Sequence, residues 1–394
     1  MDLSRRSTLL GLAGCISLGR ASLALAAAPT EKRLVVIILR GALDGMAAVV
    51  PYGDAGLAAL RGEIVPPAPG QPDGLLDLGG FYGLHPALAG FYDLYAANEA
   101  LVVHAVAGPY RVRSHFEAQD YLESGAEHRM TSGWLNRVAA ALPPSPTPRP
   151  EGNALAVGVS VPLLLRGSAP VANWAPHGFS QPSPELYAMI AALNDGDPVT
   201  GPAIHQGLRG RGFTGAVLAG DDQPKDRNAF ATLALSAGRM LNAPDGPRIA
   251  ALEIGGWDTH AAQVNRLAGP LKQLDAGLVA LRTGLGPAWA QTAVLVMTEF
   301  GRTARVNGTK GTDHGTGTVA LVLGGAVAGG RIRAAWPGLT PGQLLENRDL
   351  APTTDLRAVA RGLLAQHFGL DTAALGRIFP GSDGAGAMSG LIRT

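Results

Sequence analysis

Two apolar runs in the C-terminal half end in clusters of acids and histidines. Ile249–Ile254 runs into Gly255-Gly256-Trp257-Asp258-Thr259-His260. Ala293–Thr298 runs into Glu299-Phe300-Gly301-Arg302, with Gly311-Thr312-Asp313-His314-Gly315 close behind. Open α/β sheets bind ligands beyond the carboxyl ends of their strands, and Asp with His is a donor set for zinc-like ions. A hydrolytic metal site is the chemistry to expect here.

Asp258 and His260 are two residues apart, so an extended backbone would point both side chains the same way. His314, flanked by glycines, offers a third ligand to the same ion; a turn Asp and a surface His are the alternative. Glu299 closes a strongly apolar strand, where a carboxylate must be paired or metal-bound, and Arg302 is near enough to be its ion partner. Asp313 reads as a further ligand or as the acceptor that orients His314. Upstream, the first apolar run leads into Arg40-Gly41-Ala42-Leu43-Asp44-Gly45, where Asp44 is either a metal ligand or a turn residue. The second leads into Arg111-Val112-Arg113-Ser114-His115-Phe116-Glu117. Ser114 with Glu117 fits a capping box. A Ser at a helix N-terminus beside two Arg is also where an anion docks, and its hydroxyl becomes a nucleophile if a metal lowers its pKa. Arg113 and Arg302 are the expected anion-binding side chains.

These residues need a scaffold of strands and helices. Leu34–Leu39, Leu101–Val106, Ala154–Gly158, Ile249–Ile254, Ala293–Thr298 and Val319–Leu323 read as buried parallel strands. Leu267, Leu271, Leu274, Leu278, Leu281 and Leu285 form one helical stripe. Leu356, Val359, Leu363 and Leu364 form another after Asp355, an expected N-cap. Alternating strands and helices imply an α/β fold, a three-layer α/β/α sandwich around a mostly parallel sheet. Residues 160–225 are weakly periodic and fit a cap or insertion. His85 reads as a helix-entry residue, His104 as core and His367 as an electrostatic cap at a helix end. Gly210–Gly215 matches G-x-G-x-x-G, but lacks the strand and helix that would make it a dinucleotide site.

The 394 residues carry 46% hydrophobic and 16% charged residues, enough for a sizeable core. A net charge of +1 gives no reason to expect a nucleic-acid partner. Ser4-Arg5-Arg6-Ser7-Thr8-Leu9 followed by Ala24-Leu25-Ala26 reads as a twin-arginine export signal over residues 1–28. Residues 29–394 are then the folded part, expected as one domain, periplasmic or secreted, with the twin-arginine translocase as its export partner. Cys15 is the one cysteine. It leaves with the signal unless Leu12-Ala13-Gly14-Cys15 acts as a lipoprotein box and anchors the chain. No other stretch is long and apolar enough to span a bilayer.

Taken in order, LVVIILRGALDG, YRVRSHFEAQDYLESG, GWLNR, GGWDTH, TEFGRT, GTDHGTG and ALVLGG resemble the DUF1501 family, uncharacterised bacterial proteins with a twin-arginine signal. That family resembles a branch of the alkaline-phosphatase-like, sulfatase-like superfamily. The resemblance implies an alkaline-phosphatase-like sandwich with one or two divalent ions (Zn, Mg, Mn or Ca) at the strand ends. It makes Asp44 the first-strand ligand and Ser114 the nucleophile. Asp258, His260 and His314 would hold one ion, and Glu299 would help hold a second; His115 and Asp313 would stand behind the ligands. The implied activity is hydrolysis of a small anionic ester, phosphoric before sulfuric, because Ser114 is not the Cys that sulfatases mature. Phe300 departs from the pattern, standing where a ligating His is usual. That leaves open a non-catalytic binding or assembly protein on the same fold.

Overall fold

The computed structural model describes residues 31–143, 152–175 and 230–393, together with residues 189, 192 and 193. The expected export signal and most of the expected cap at 160–225 lie outside the described residues.

In chain order the main elements are β1 (Arg33–Arg40), α1 (Gly45–Ala48), β2 (Val49–Val50), α2 (Leu57–Arg61), β3 (Leu76–Asp77), β4 (Gly83–Leu84), α3 (Ala89–Ala96), β5 (Ala100–Ala107), α4 (His115–Ser124) and α5 (Trp134–Ala141). There follow β6 (Ala154–Val157), β7 (Val171–Trp174), α6 (Phe230–Asn242), β8 (Ile249–Gly255), α7 (Gln263–Leu285), β9 (Thr292–Thr298), β10 (Thr318–Leu323), β11 (Arg331–Arg333), β12 (Thr354–Asp355), α8 (Leu356–Phe368) and α9 (Thr372–Ile378).

The large sheet runs β11-β5-β10-β9-β1-β8-β6-β7, with β12 paired to β5. All six apolar runs read from sequence are strands of it. The expectation of parallel strands fails at one of them. β10 is antiparallel to both β5 and β9, while β1, β8, β9, β6 and β7 are mutually parallel. Burial on both faces makes an antiparallel strand as continuously apolar as its neighbours, so composition could not give its direction.

Alternation along β1 feeds two cores. Val35, Ile37 and Leu39 pack with α3, α6 and α7 on one face, and Leu34, Val36 and Ile38 with α5, α8 and α9 on the other. This gives an α/β/α arrangement. The leucine stripe from Leu267 to Leu285 is fully buried on α7. Asp355 caps α8 by accepting from the Arg357 N–H at 2.8 Å, and His85 accepts from Ala87 N–H at the helix entry.

Among the described residues, His104 and His367 sit in the core. His104 on β5 is fully buried, as expected. His367 is not an exposed helix-end cap: it is buried and its Nε2 donates to the Arg33 carbonyl at 2.9 Å, tying α8 to the start of β1.

The reversed β10 has a functional consequence. Residues after β1, β5, β8 and β9 emerge at the carboxyl edge of the sheet, and the loop before β10 enters at that same edge.

Candidate metal centre

Four segments meet at that edge. The loop after β8 carries Asp258 and His260. Their side chains do point the same way, with Asp258 Oδ1 and His260 Nε2 2.9 Å apart, while Thr259 between them is buried. The loop from β9 to β10 folds back on itself: Arg302 and His314 form an antiparallel bridge, and Gly315 N–H bonds the Gly301 carbonyl at 2.8 Å. Glycines permit this closeness. A Cβ on Gly315 would lie 2.3 Å from the Arg302 carbonyl carbon, and one on Gly311 2.2 Å from that of His260. The third segment is the start of α4, which delivers His115. The fourth is the turn after β1, whose Gly41 N–H donates to Glu299 Oε1 at 2.9 Å.

The side chains converge on one point. His314 Nε2 lies 3.0 Å from His115 Nε2, 3.1 Å from His260 Nε2 and 3.2 Å from Asp258 Oδ1. His115 Nε2 lies 3.6 Å from Asp258 Oδ1. Ligand atoms of His115, Asp258 and His314 all fall within 4.8 Å of one another. Two ligands held at about 2.0–2.1 Å on a tetrahedral ion would be separated by roughly 3.3 Å, which is the spacing seen.

The far nitrogens fix the ring tautomers. His115 Nδ1 faces Glu299 Oε1 at 2.8 Å, His260 Nδ1 faces Asp313 Oδ1 at 3.2 Å, and His314 Nδ1 faces the Arg113 carbonyl at 2.9 Å. Each neighbour is an acceptor, so each neutral ring carries its proton on Nδ1 and aims a lone pair inward. Three lone pairs and a carboxylate oxygen then face one another. One shared proton would satisfy a single pair; a cation satisfies all of them. The residues therefore fit a metal ion.

The surroundings tune these groups in both directions. The hydrogen bond to Glu299 raises the His115 pKa above the ordinary histidine value, against burial. Burial lowers that of His314. Burial would raise Asp258, but its bond and charge contact with Arg302 hold it below the usual carboxylate range. Glu299 is likewise held low despite burial, by the hydrogen bonds from His115 and Gln119.

Several expected roles change. Glu299 is not turned toward the ion position. Its Oε1 accepts from His115, Gln119 and Gly41, and its Oε2 from Thr298. It stands behind His115, whose Nε2 faces the cluster in its place, the reverse of the arrangement expected from the sequence. Asp313 supports His260 rather than His314. Asp44 is not at the centre: Arg61 Nη1 contacts its two oxygens at 2.9 and 2.7 Å, Gln263 donates to Oδ2 at 2.7 Å, and the ion pair is almost wholly buried.

Neither expected anion-binding arginine is free. Arg302 is buried, with its guanidinium on Asp258 and on Thr312. Arg113 pairs with Asp349 and Glu346.

Ser114 is the N-cap residue of α4, but its hydroxyl makes no cap bond, and Glu117 instead accepts from the Tyr110 hydroxyl. The capping box is absent. Phe300 is buried with its ring 4.9 Å from His115 and 5.1 Å from His314, forming a wall of the site.

His115 is the ligand-facing residue that the sequence reading undervalued. Its neighbour one turn on, Gln119, also reaches Glu299, and this i, i+4 pair on one helix face was the available signal.

Fold and site define an α/β protein with a histidine–aspartate cluster that could hold a metal ion at the carboxyl edge of its sheet. The chain belongs to the family described as protein of unknown function (DUF1501), whose model matches residues 97–379. No curated protein matches it. Among solved structures it is similar to a phosphonate monoester hydrolase of Agrobacterium radiobacter, at 11% identity and a TM-score of 0.34, over 86% of this chain and 74% of that one. So distant a match says nothing about activity.

Proposed function

We propose that this chain is an exported metal-dependent hydrolase of a phosphate or related ester. The observation that carries the reading is the inward convergence of three histidine lone pairs with the Asp258 carboxylate. That is a donor set built for a cation and open to solvent, since the Asp258 side chain is 45% exposed. Asp258, His260 and His314 would hold the ion, with His115 beside them. A divalent ion there would supply Lewis acidity and neutralise developing negative charge on the ester.

The chain's own groups supply the rest. Ser114 directly precedes His115, and its hydroxyl is not spent on capping α4, which leaves it as the nucleophile. The first amides of α4 offer donors to an anionic ester. Arg302 holds Asp258 in place, and Glu299, Asp313 and the Arg113 carbonyl hold the three rings. Phe300 excludes water from the back of His115 and His314.

A second reading keeps the fold and the ion but not the turnover: a binding or assembly protein of the cell envelope. Phe300 favours it, since a side chain without donor atoms occupies a wall where the resemblance implies a ligand.

The deciding experiment measures metal content after export through the native route, then assays the wild type and Ser114→Ala against phosphate mono- and diesters. Bound metal with Ser114-dependent turnover is expected. Metal-free protein without such turnover ends the hydrolase reading.

A further inference from the structure

We propose that the centre holds one ion rather than two, and that this ion is a nitrogen-seeking transition metal of the zinc type with His115 among its ligands. This rests on the metal reading above but not on catalysis.

Stoichiometry follows from what has become of the carboxylates that a second ion would need. Asp44 already has its cation. Arg61 Nη1 sits on both of its oxygens, both side chains are 1% exposed, and Gln263 adds a further donor. The Arg61 guanidinium is itself tied down, with Nε donating to the Ala304 carbonyl at 2.8 Å and Nη2 to the Thr303 carbonyl at 2.5 Å. An incoming ion would have to expel a buried arginine from a full set of partners. Glu299 is engaged in a different way: its fully buried side chain receives His115, Gln119 and Gly41 on Oε1, and its Oε2 lies 2.8 Å from the Thr298 hydroxyl. Phe300, whose ring packs on His115 and His314, adds no donor atom beside them.

The metal's class follows from the donors that remain. Mg²⁺ and Ca²⁺ take oxygen ligands, whereas imidazole suits zinc, iron, copper and nickel. Here three imidazole nitrogens outnumber one carboxylate oxygen, and that oxygen is shared with Arg302. His115 belongs to the set because Glu299 holds its Nδ1 proton, which leaves Nε2 3.0 Å from His314 Nε2 and 3.6 Å from Asp258 Oδ1.

The test strips the full-length exported protein with a chelator and titrates it with Zn²⁺, Co²⁺, Mg²⁺ or Ca²⁺ in equilibrium dialysis. One Zn²⁺ or Co²⁺ per chain is expected, with visible Co²⁺ absorption and no displacement by millimolar Mg²⁺ or Ca²⁺. His115→Ala should weaken binding by more than the roughly 10- to 100-fold that loss of an orienting partner costs. ¹¹³Cd resonance of the unmutated protein gives a second readout that does not depend on the variant folding: one signal, at a nitrogen-rich shift. Two ions per chain, a preference for Mg²⁺ or Ca²⁺, an oxygen-rich cadmium signal, or unchanged binding in a folded His115→Ala protein would overturn the inference. One zinc held through His115 without ester turnover would keep it and end the hydrolase reading. Two ions with Ser114-dependent turnover would do the reverse.

Discussion

His115 Nδ1 lies 2.8 Å from Glu299 Oε1, joining the first residue of α4 to the residue that follows β9. This bond decides which ring nitrogen faces the centre. Replacing Glu299 by Gln keeps the shape and removes the charge that makes His115 a strong donor. Metal affinity should fall about 10- to 100-fold while circular dichroism is unchanged. Equal zinc affinity in the two proteins would show that Glu299 only packs.

Arg61 and Asp44 form a nearly inaccessible ion pair. Removing one partner strands a buried charge, which costs about 3–5 kcal/mol. Arg61→Met should therefore unfold at much lower urea than the wild type. The double variant Arg61→Met/Asp44→Asn should recover part of that loss. If the double variant is no more stable than Arg61→Met, the stranded carboxylate is not the cause.

Phe300 packs on two of the inward-facing rings. Phe300→Ala removes a buried ring and leaves a void, a change that costs about 3–5 kcal/mol. It should also loosen His115 and His314, so zinc dissociation should quicken in stopped flow. Unfolding at the wild-type urea midpoint would count against Phe300 as a wall of this site.

Burial pushes the pKa of His104 down to about 4. Its Nε2 is 2.9 Å from the Val49 carbonyl and its Nδ1 accepts from the Ala105 N–H. The unfolded chain protonates this ring near the ordinary pKa of about 6.5. Its contribution to stability is thus complete above pH ~6.5 and is lost as pH falls toward 4, by a total on the order of 3 kcal/mol. His104→Gln preserves one donor and one acceptor but does not titrate. Its unfolding free energy should fall less steeply from pH 6.5 to 4 than that of the wild type; parallel curves would refute the assignment.

The proposed twin-arginine export would rest on Arg5 and Arg6 in the leading segment. Arg5→Lys/Arg6→Lys should leave the uncleaved chain in the cytoplasm when fractions are compared by immunoblot. Undiminished periplasmic protein would point to another route.

Much of the scaffold was legible in the residues. Buried strands are continuous apolar runs, and α7 announces itself by leucines at helical spacing, because burial imposes both patterns locally. Asp258-x-His260 could be read as a pair because two-residue spacing on extended backbone is also local. The direction of β10 could not be read, since a strand buried on both faces has the same composition either way. Nor could the exchange between His115 and Glu299, which stand 184 positions apart, or the capture of Asp44 by Arg61. The sequence by itself determined which residue types reach the carboxyl edge of the sheet. Only the tertiary structure decided which of them face the centre of the cluster, because an inward-facing side chain and its support differ by the partner each meets across the chain.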